Sequence, residues 1–315
     1  MTLIPSPEAP VLSIGAATID MIGVLDEELR RGTSNPAHIR FSFGGVARNV
    51  AENLARLGHP VTLISAVGDD HIGQQLLKHT TAAGVDVENV SIAPAHTTGA
   101  YVGILEQSRE IQIAVDDLSV IETLTPKYLR EYYSLFKNAS LLFVDANLPS
   151  ATLRMAFSLA KRAGIPVFAD PTAVLLAHRI TPYLSKLHLI TPNAAEAAFL
   201  CGKQLDFTDR QQMLEAAKHL VSQGVEIALI TLGEFGVCYA TSDTNGYVPA
   251  LRTEIVDPTG GGDALTATVT FALLNDIPID DAVRLGASAA SLTLCHRGAV
   301  LPDLSLEKLY DHLSI

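Results

Sequence analysis

The sequence predicts an α/β fold, with a mostly parallel central sheet covered by helices on both faces. Short apolar, β-branched runs alternate with helical stretches along the chain. The apolar runs are nearly continuous, as in strands buried on both faces. Several of the helical stretches end in glycine, a common helix terminator. The strands expected from this pattern are VLSIG (11–15), VTLISAVG (61–68), LLFVDAN (141–147), PVFAD (166–170), LHLITPN (187–193) and IALITLG (227–233). Between them, helices are expected at 46–58, 73–84, 150–164 and 210–224. Open α/β sheets bind ligands beyond the carboxyl ends of their strands. The polar residues at those ends are Asp145, Asn147, Asp170, Asn193, Glu196 and Thr231. No repeat or linker divides the chain, so residues 1–315 read as a single domain.

One region departs from this pattern. Residues 98–117 alternate with period two on both sides of a QSRE turn, the signature of a hairpin. Residues 21–43 read as extended pieces around a TSNP turn. Four short strands without helices are expected to form a small sheet, either as an edge extension of the large one or as a lid over an active site.

Composition excludes several function classes. The chain has 22 Lys and Arg against 34 Asp and Glu, a net charge of −12. Such a chain is a poor non-specific ligand for nucleic acid or anionic lipid. Cys201, Cys238 and Cys295 lack the paired spacing of a disulfide or zinc framework. No basic leader, secretory apolar stretch or membrane-length apolar run is seen, so a cytoplasmic protein is expected.

The stretch VDPTGGGDALTATV (256–269) carries the most chemistry. Gly260, Gly261 and Gly262 stand before a helical run, where free N–H groups and a partial positive charge suit a phosphoryl group. Asp263 would repel a bound phosphate, but it suits a base that takes the proton from an attacking hydroxyl. The helix dipole is expected to keep it ionised. A simple helix cap after a flexible loop would use the same residue.

DPTGGGDA resembles the second signature of the ribokinase-like (PfkB) carbohydrate kinases, usually Asp-Thr-x-Gly-Ala-Gly-Asp. FGGVARNVAENLARLG (43–58) is similar to the first signature, TPNAAEA (191–197) carries an Asn-x-x-Glu spacing, and ITLGEFGV (230–237) is similar to the nucleotide-site strand and turn. Two positions depart from the pattern: Gly261 replaces Ala, and Pro258 replaces Thr with Thr259 next to it. The resemblance covers nearly the whole chain and implies a ribokinase-like three-layer sandwich with a small β-sheet lid. It implies Asp263 as general base and Gly260, Gly261 and Gly262 as the anion hole. Asn193 and Glu196 would orient hydrated Mg²⁺, although the same pair also fits a helix cap. Thr231, Gly233 and Gly236 would line the ATP site. Asp257 and Thr259 are candidate neighbours of a monovalent cation such as K⁺. No Walker loop is present.

On the acceptor side the resemblance makes Asp20, at the end of the first strand, the carboxylate that holds two sugar hydroxyls. Gly44 and Gly45 would admit the sugar to the backbone, and Asn49 would meet a ring hydroxyl. Arg48 either reads a phosphate on the acceptor or pairs with Glu52 on an exposed helix face. TSNPAHIRFSFGGVARN (33–49) most resembles the pseudouridine-kinase branch, whose signature includes that Arg, which counts against the phosphate role. The branch implies transfer from ATP to pseudouridine, with Asn35, Thr98 and Tyr101 as candidate nucleoside contacts. Another nucleoside or free sugar as acceptor, or a non-catalytic binding protein, are the rival expectations. An apolar face of the small sheet would also favour a homodimer through the lids.

Overall fold

The apolar runs fold into an eight-stranded sheet whose successive residues point into two separate cores. The structure is a computed structural model and describes residues 6, 8–108, 111–252 and 254–313. Part of the QSRE turn and most of the first residues of the chain, over which a leader was sought, lie outside the described residues.

Along the chain, β1 (Val11–Ile14) is followed by β2 (Thr18–Leu25), β3 (Ala37–Gly44), α1 (Val46–Arg56) and β4 (Val61–Ile64). Next come β5 (Ala66–Gly68), α2 (His71–Ala82), β6 (Ser91–Ala93), β7 (Ala100–Leu105) and β8 (Ile111–Asp117). Two short helices, α3 (Pro126–Glu131) and α4 (Tyr133–Lys137), precede β9 (Leu141–Asp145), α5 (Ser150–Ala163), β10 (Val167–Asp170) and α6 (Val174–Ala177). The second half holds β11 (Leu189–Ile190), α7 (Ala194–Cys201), α8 (Arg210–Ser222), β12 (Ile227–Thr231), β13 (Val237–Ala240) and β14 (Asn245–Val248). It closes with α9 (Gly261–Leu274), α10 (Ile279–Leu294) and α11 (Leu306–Leu313).

The large sheet runs β14-β13-β12-β11-β10-β9-β1-β4; its pairings are parallel except those that β13 makes with β12 and β14. In β9, Leu142 and Val144 face a core closed by α3, α4, α5, α7 and α8, while Leu141 and Phe143 face one closed by α1, α2, α9, α10 and α11. That is the three-layer arrangement expected, and it explains the continuous apolar runs. VTLISAVG is not one strand. Ser65 Oγ turns aside to donate to Gly15 O at 2.7 Å, so β4 stays in the large sheet while β5 pairs with β6.

The small sheet has the order β3-β2-β7-β8. Its register places Phe41, Met21, Val102 and Val115 in one cross-strand rung, and Ile39, Gly23, Ile104 and Ile113 in the next rung on the same face. Phe41 is 68% exposed, Ile39 64%, Val115 58% and Ile113 47%, so this apolar face is open. Its other face carries the rung Ser42, Asp20, Tyr101 and Asp116, and Arg40 and Ile22 beyond it. Asp20 therefore stands in the third position of β2, not at the end of the first strand: the chain leaves β1 at Ile14 and turns into the small sheet.

Candidate active site

Asp145, at the end of β9, is fully buried and ties three segments together. Its Oδ2 accepts the N–H groups of Ala16, leaving β1, at 2.8 Å and of Ala47, at the start of α1, at 3.1 Å. Its Oδ1 accepts from Asn147 N at 3.0 Å. Burial still raises its carboxyl above the usual range, against these donors. A Cβ on Gly15 would lie 2.3 Å from that carboxyl, so only glycine fits there.

The joint brings β2 over the strand ends. Thr18 Oγ1 donates to Asp20 Oδ1 at 2.8 Å. Burial raises the Asp20 carboxyl, while Thr18 and the charge of Arg48 pull it down. A Cβ on Gly44 would come within 2.0 Å of Asp20 Oδ2. Gly45 caps α1 at φ 92°, and a Cβ there would meet Ala16 O at 2.4 Å. The glycine pair lets the Asp20 carboxylate and the start of α1 pack against bare backbone.

From α1, Asn49 Nδ2 donates to Asp263 Oδ2 at 2.7 Å, joining residues 214 positions apart. Asp263 is the third residue of α9, after Gly260 at the cap with φ 78°. The first N–H groups of that helix have no helical partner. A Cβ on Gly260 would strike Ala299 O at 1.9 Å, whereas at Gly262, exposed to the cleft, it would meet nothing within 4 Å. The Asp263 carboxyl is pushed up to about 7, chiefly by burial. The Asn49 bond and Arg48 oppose this rise, and the charges of Asp20 and Asp145 add to it. Against the expectation that the helix dipole keeps Asp263 ionised, burial and the charges of Asp20 and Asp145 bring its carboxyl up to about 7.

Asp257 is buried beside this loop. Its Oδ1 accepts from Thr259 N and Oγ1 at 3.1 and 2.7 Å, its Oδ2 accepts from Gly298 N at 3.2 Å, and Arg40 Nη1 from the small sheet lies 3.6 Å away. Asp257 thus ties the loop before α9 to Gly298 and to the small sheet.

Beyond β11, Asn193 and Glu196 form a reciprocal cap on α7. Glu196 Oε2 accepts from Asn193 N at 2.9 Å and Oε1 from Asn193 Nδ2 at 2.7 Å, while Asn193 Oδ1 accepts from Glu196 N at 3.0 Å. Burial raises Glu196. Asp170 is raised well above the usual range by burial, with Glu196 and Asp263 adding repulsion. Among the described residues no group of three or more His, Cys, Asp or Glu forms a metal cage. Two carboxylates close enough to repel each other fit a hydrated Mg²⁺ held through water and phosphate oxygens. Thr231 bridges to Asn193 across the sheet. Gly233 (φ 58°) and Gly236 (φ 95°) flank the next turn, and Gly236 also packs against Val248 O.

Three acceptor candidates part company. Tyr101 sits beside Asp20 in the same rung, and burial and Asp20 raise its hydroxyl. Thr98 is engaged elsewhere: its Oγ1 donates to Asp70 Oδ1 at 2.7 Å and accepts from Gly68 N at 3.1 Å, fixing the start of α2. Asn35 shapes the far loop of the small sheet, accepting from Arg30 N at 2.8 Å and donating to Arg30 O and Thr33 O. It lies beyond the Leu25–Ala37 pair, five positions along β2 from Asp20, or roughly 17 Å. Arg48 does pair with Glu52, but both are buried rather than on an exposed face. Sequence reasoning missed Arg40 and Ser42, although IRFSFGG alternates so as to put both on Asp20's side of the sheet.

The family profile described as "pfkB family carbohydrate kinase" matches residues 9–305. Pseudouridine kinase of Escherichia coli (strain K12) is 32% identical over 297 residues, covering 94% of this chain and 94% of that protein. Guanosine-inosine kinase of Exiguobacterium acetylicum is 25% identical over 294 residues, covering 92% and 96%. Among solved structures, the ribokinase of Arabidopsis thaliana complexed with ribose and ATP superposes with a TM-score of 0.82 at 21% identity, covering 98% and 99%.

Proposed function

We propose, for a chain that belongs to the pfkB family of carbohydrate kinases, the ATP-dependent phosphorylation of pseudouridine at its 5′-hydroxyl. The single observation that carries the catalytic part is the 2.7 Å bond from Asn49 to Asp263. It joins the helix of the acceptor side to the helix of the anion loop, so a hydroxyl beside Asn49 also lies beside a carboxylate. The choice of acceptor is supported by the 32% identity to a pseudouridine kinase and by the GGVARN stretch.

In this reading Asp20 accepts the ribose 2′- and 3′-hydroxyls, with Tyr101 next to it. Asp263 takes the 5′-hydroxyl proton as that oxygen attacks the γ-phosphorus. The bond from phosphorus to the β–γ bridging oxygen breaks and ADP leaves. The N–H groups at Gly261 and Gly262 face the charge that builds on the transferring group. Mg²⁺ would be oriented through water by Glu196 and Asp170, and it supplies neutralisation of the phosphate charge. Thr231, Gly233 and Gly236 border the nucleotide. ATP and a nucleoside are cytoplasmic metabolites, which suits a cytoplasmic enzyme. The small sheet acts as the lid and, through its open face, as the contact with a second subunit.

The test is a panel of nucleosides and free sugars assayed for ADP release, with each product checked by mass. Pseudouridine is expected to have the highest kcat/KM. Equal values for uridine and pseudouridine would point to a broad nucleoside kinase, preference for ribose to a sugar kinase, and no turnover with any acceptor to a binding protein.

A further inference from the structure

Arg48 lies against the acceptor side without reaching the solvent. It is 1% exposed, the largest of the fully buried side chains. Its Nε donates to Gly44 O at 2.9 Å, and its Nη2 donates to Phe43 O at 2.8 Å and to Asn49 Oδ1. Its Nη1 donates to Glu52. Glu52 is itself clamped by Arg56 Nη2 at 3.0 Å and His79 Nε2 at 3.3 Å. Burial would raise Glu52, yet these cations hold its carboxyl below the usual range.

We infer that Arg48 is a positioning residue of the phosphoryl transfer, locking the amide of Asn49 so that its nitrogen faces Asp263 and pinning the Phe43–Gly44 carbonyls beneath the acceptor. The inference rests on Asp263 being the base. An asparagine amide can turn over and exchange its oxygen and nitrogen. With the guanidinium donating to Oδ1, only Nδ2 is left to meet the carboxylate. A turned amide would set an oxygen against Asp263 and lose the bond that favours its ionised form. The four donors in a fixed plane are what an ammonium lacks, so lysine cannot replace them all. A buried ion pair is weak evidence for stability by itself. This one runs through Asn49 to a group of the reaction.

The charged groups facing Asp263 are Asp20 from β2, Arg48 from α1, Asp145 at the end of β9 and Asp170 at the end of β10. Arg48 is the cation among them. Its removal leaves three carboxylates and a mobile amide, which raises the Asp263 carboxyl further and moves the acid limb of kcat/KM to higher pH.

The experiment compares wild type with R48K, R48M, N49A, R48M/N49A and D263N, each checked by thermal melting and circular dichroism. R48M is expected to lose about ten- to a hundredfold in kcat, shift its acid limb up by about one pH unit and keep its KM for ATP. R48K retains the charge and is expected to fold, to keep the limb near wild type and to lose part of kcat. R48M should cost much less in the N49A background than in wild type, because most of its effect passes through that amide. R48K with wild-type kcat, or a folded R48M with the wild-type limb, overturns the inference; R48K carries the test if R48M fails to fold. D263N separates the two readings. Near-normal turnover there removes the base itself, whereas an inactive D263N beside an unaffected R48K removes only the role of Arg48.

Discussion

If Asp263 is the base of the proposed reaction, a carboxyl pushed up to about 7 makes its readiness depend on pH in the physiological range. The kcat/KM profile should rise through an acid limb with an apparent pKa of about 7. D263N should cut turnover by about two to four orders of magnitude while nucleotide still binds, read by ADP release and calorimetry. The same group bears on stability. Its folded pKa is raised, so the folded state holds this proton more tightly than the unfolded chain does. That contribution is complete below the ordinary carboxylate range and is lost as pH rises through about 7. D263N should therefore melt above wild type at pH 8, and the gap should close as pH falls towards 4. Asp20 gives a separate test. A 2′-deoxy acceptor would leave one side of a largely buried carboxylate unpaired, and a charged hydrogen bond is worth roughly 1.5–3 kcal/mol. The kcat/KM loss should be on the order of a hundredfold for wild type and far smaller for D20A. An equal ratio in both proteins would remove Asp20 from sugar reading.

At the scale of elements, the anion loop and the small sheet were legible in different degrees. The three glycines before an apolar helix announced a turn with an open N-terminus, and α9 begins within it. The sequence did not distinguish the glycines from each other, because what they differ in is a neighbour about 40 positions away, Ala299. G260A should lower the melting temperature, since it forces both a positive φ and a clash with Ala299 O. G262A adds a methyl into open cleft within a helix, so it should melt at or above wild type while slowing turnover. Period two located the strands of the small sheet, but which face met the body depended on register across four strands. Thr98 and Asn35 read as candidate ligand contacts, but Thr and Asn serve equally in turns and caps, and their partners Asp70 and Arg30 are a matter of tertiary placement. β13 and β14 passed unread, since their pairing turns back antiparallel where the rest of the sheet runs parallel. The chemistry at Asn193 and Glu196 was ambiguous in sequence, and the reciprocal cap shows why: the same two side chains cap α7.

For the whole molecule, the open apolar rungs of the small sheet, Phe41 with Val115 and Ile39 with Ile113, make a surface that water covers poorly. A second copy presenting the same face would cover it by two-fold pairing. We expect a dimer in sedimentation at micromolar concentration, and F41E should yield a monomer with a weaker hold on the acceptor; a fully active wild-type monomer would exclude this. The order of the large sheet has a consequence for synthesis. β1 is made first, yet it sits between β4 and β9, with Val11 opposite Val61 on one side and Leu141 on the other. The turn after it is held by Asp145. On a ribosome adding roughly 5–20 residues per second, the first strand waits on the order of ten seconds for its second neighbour. Through that interval the edge of β1 that β9 will cover has no partner from the nascent chain, and the start of α1 lacks its bond to Asp145, so the growing protein should be most prone to capture by chaperones before residue 145 emerges and much less so after it.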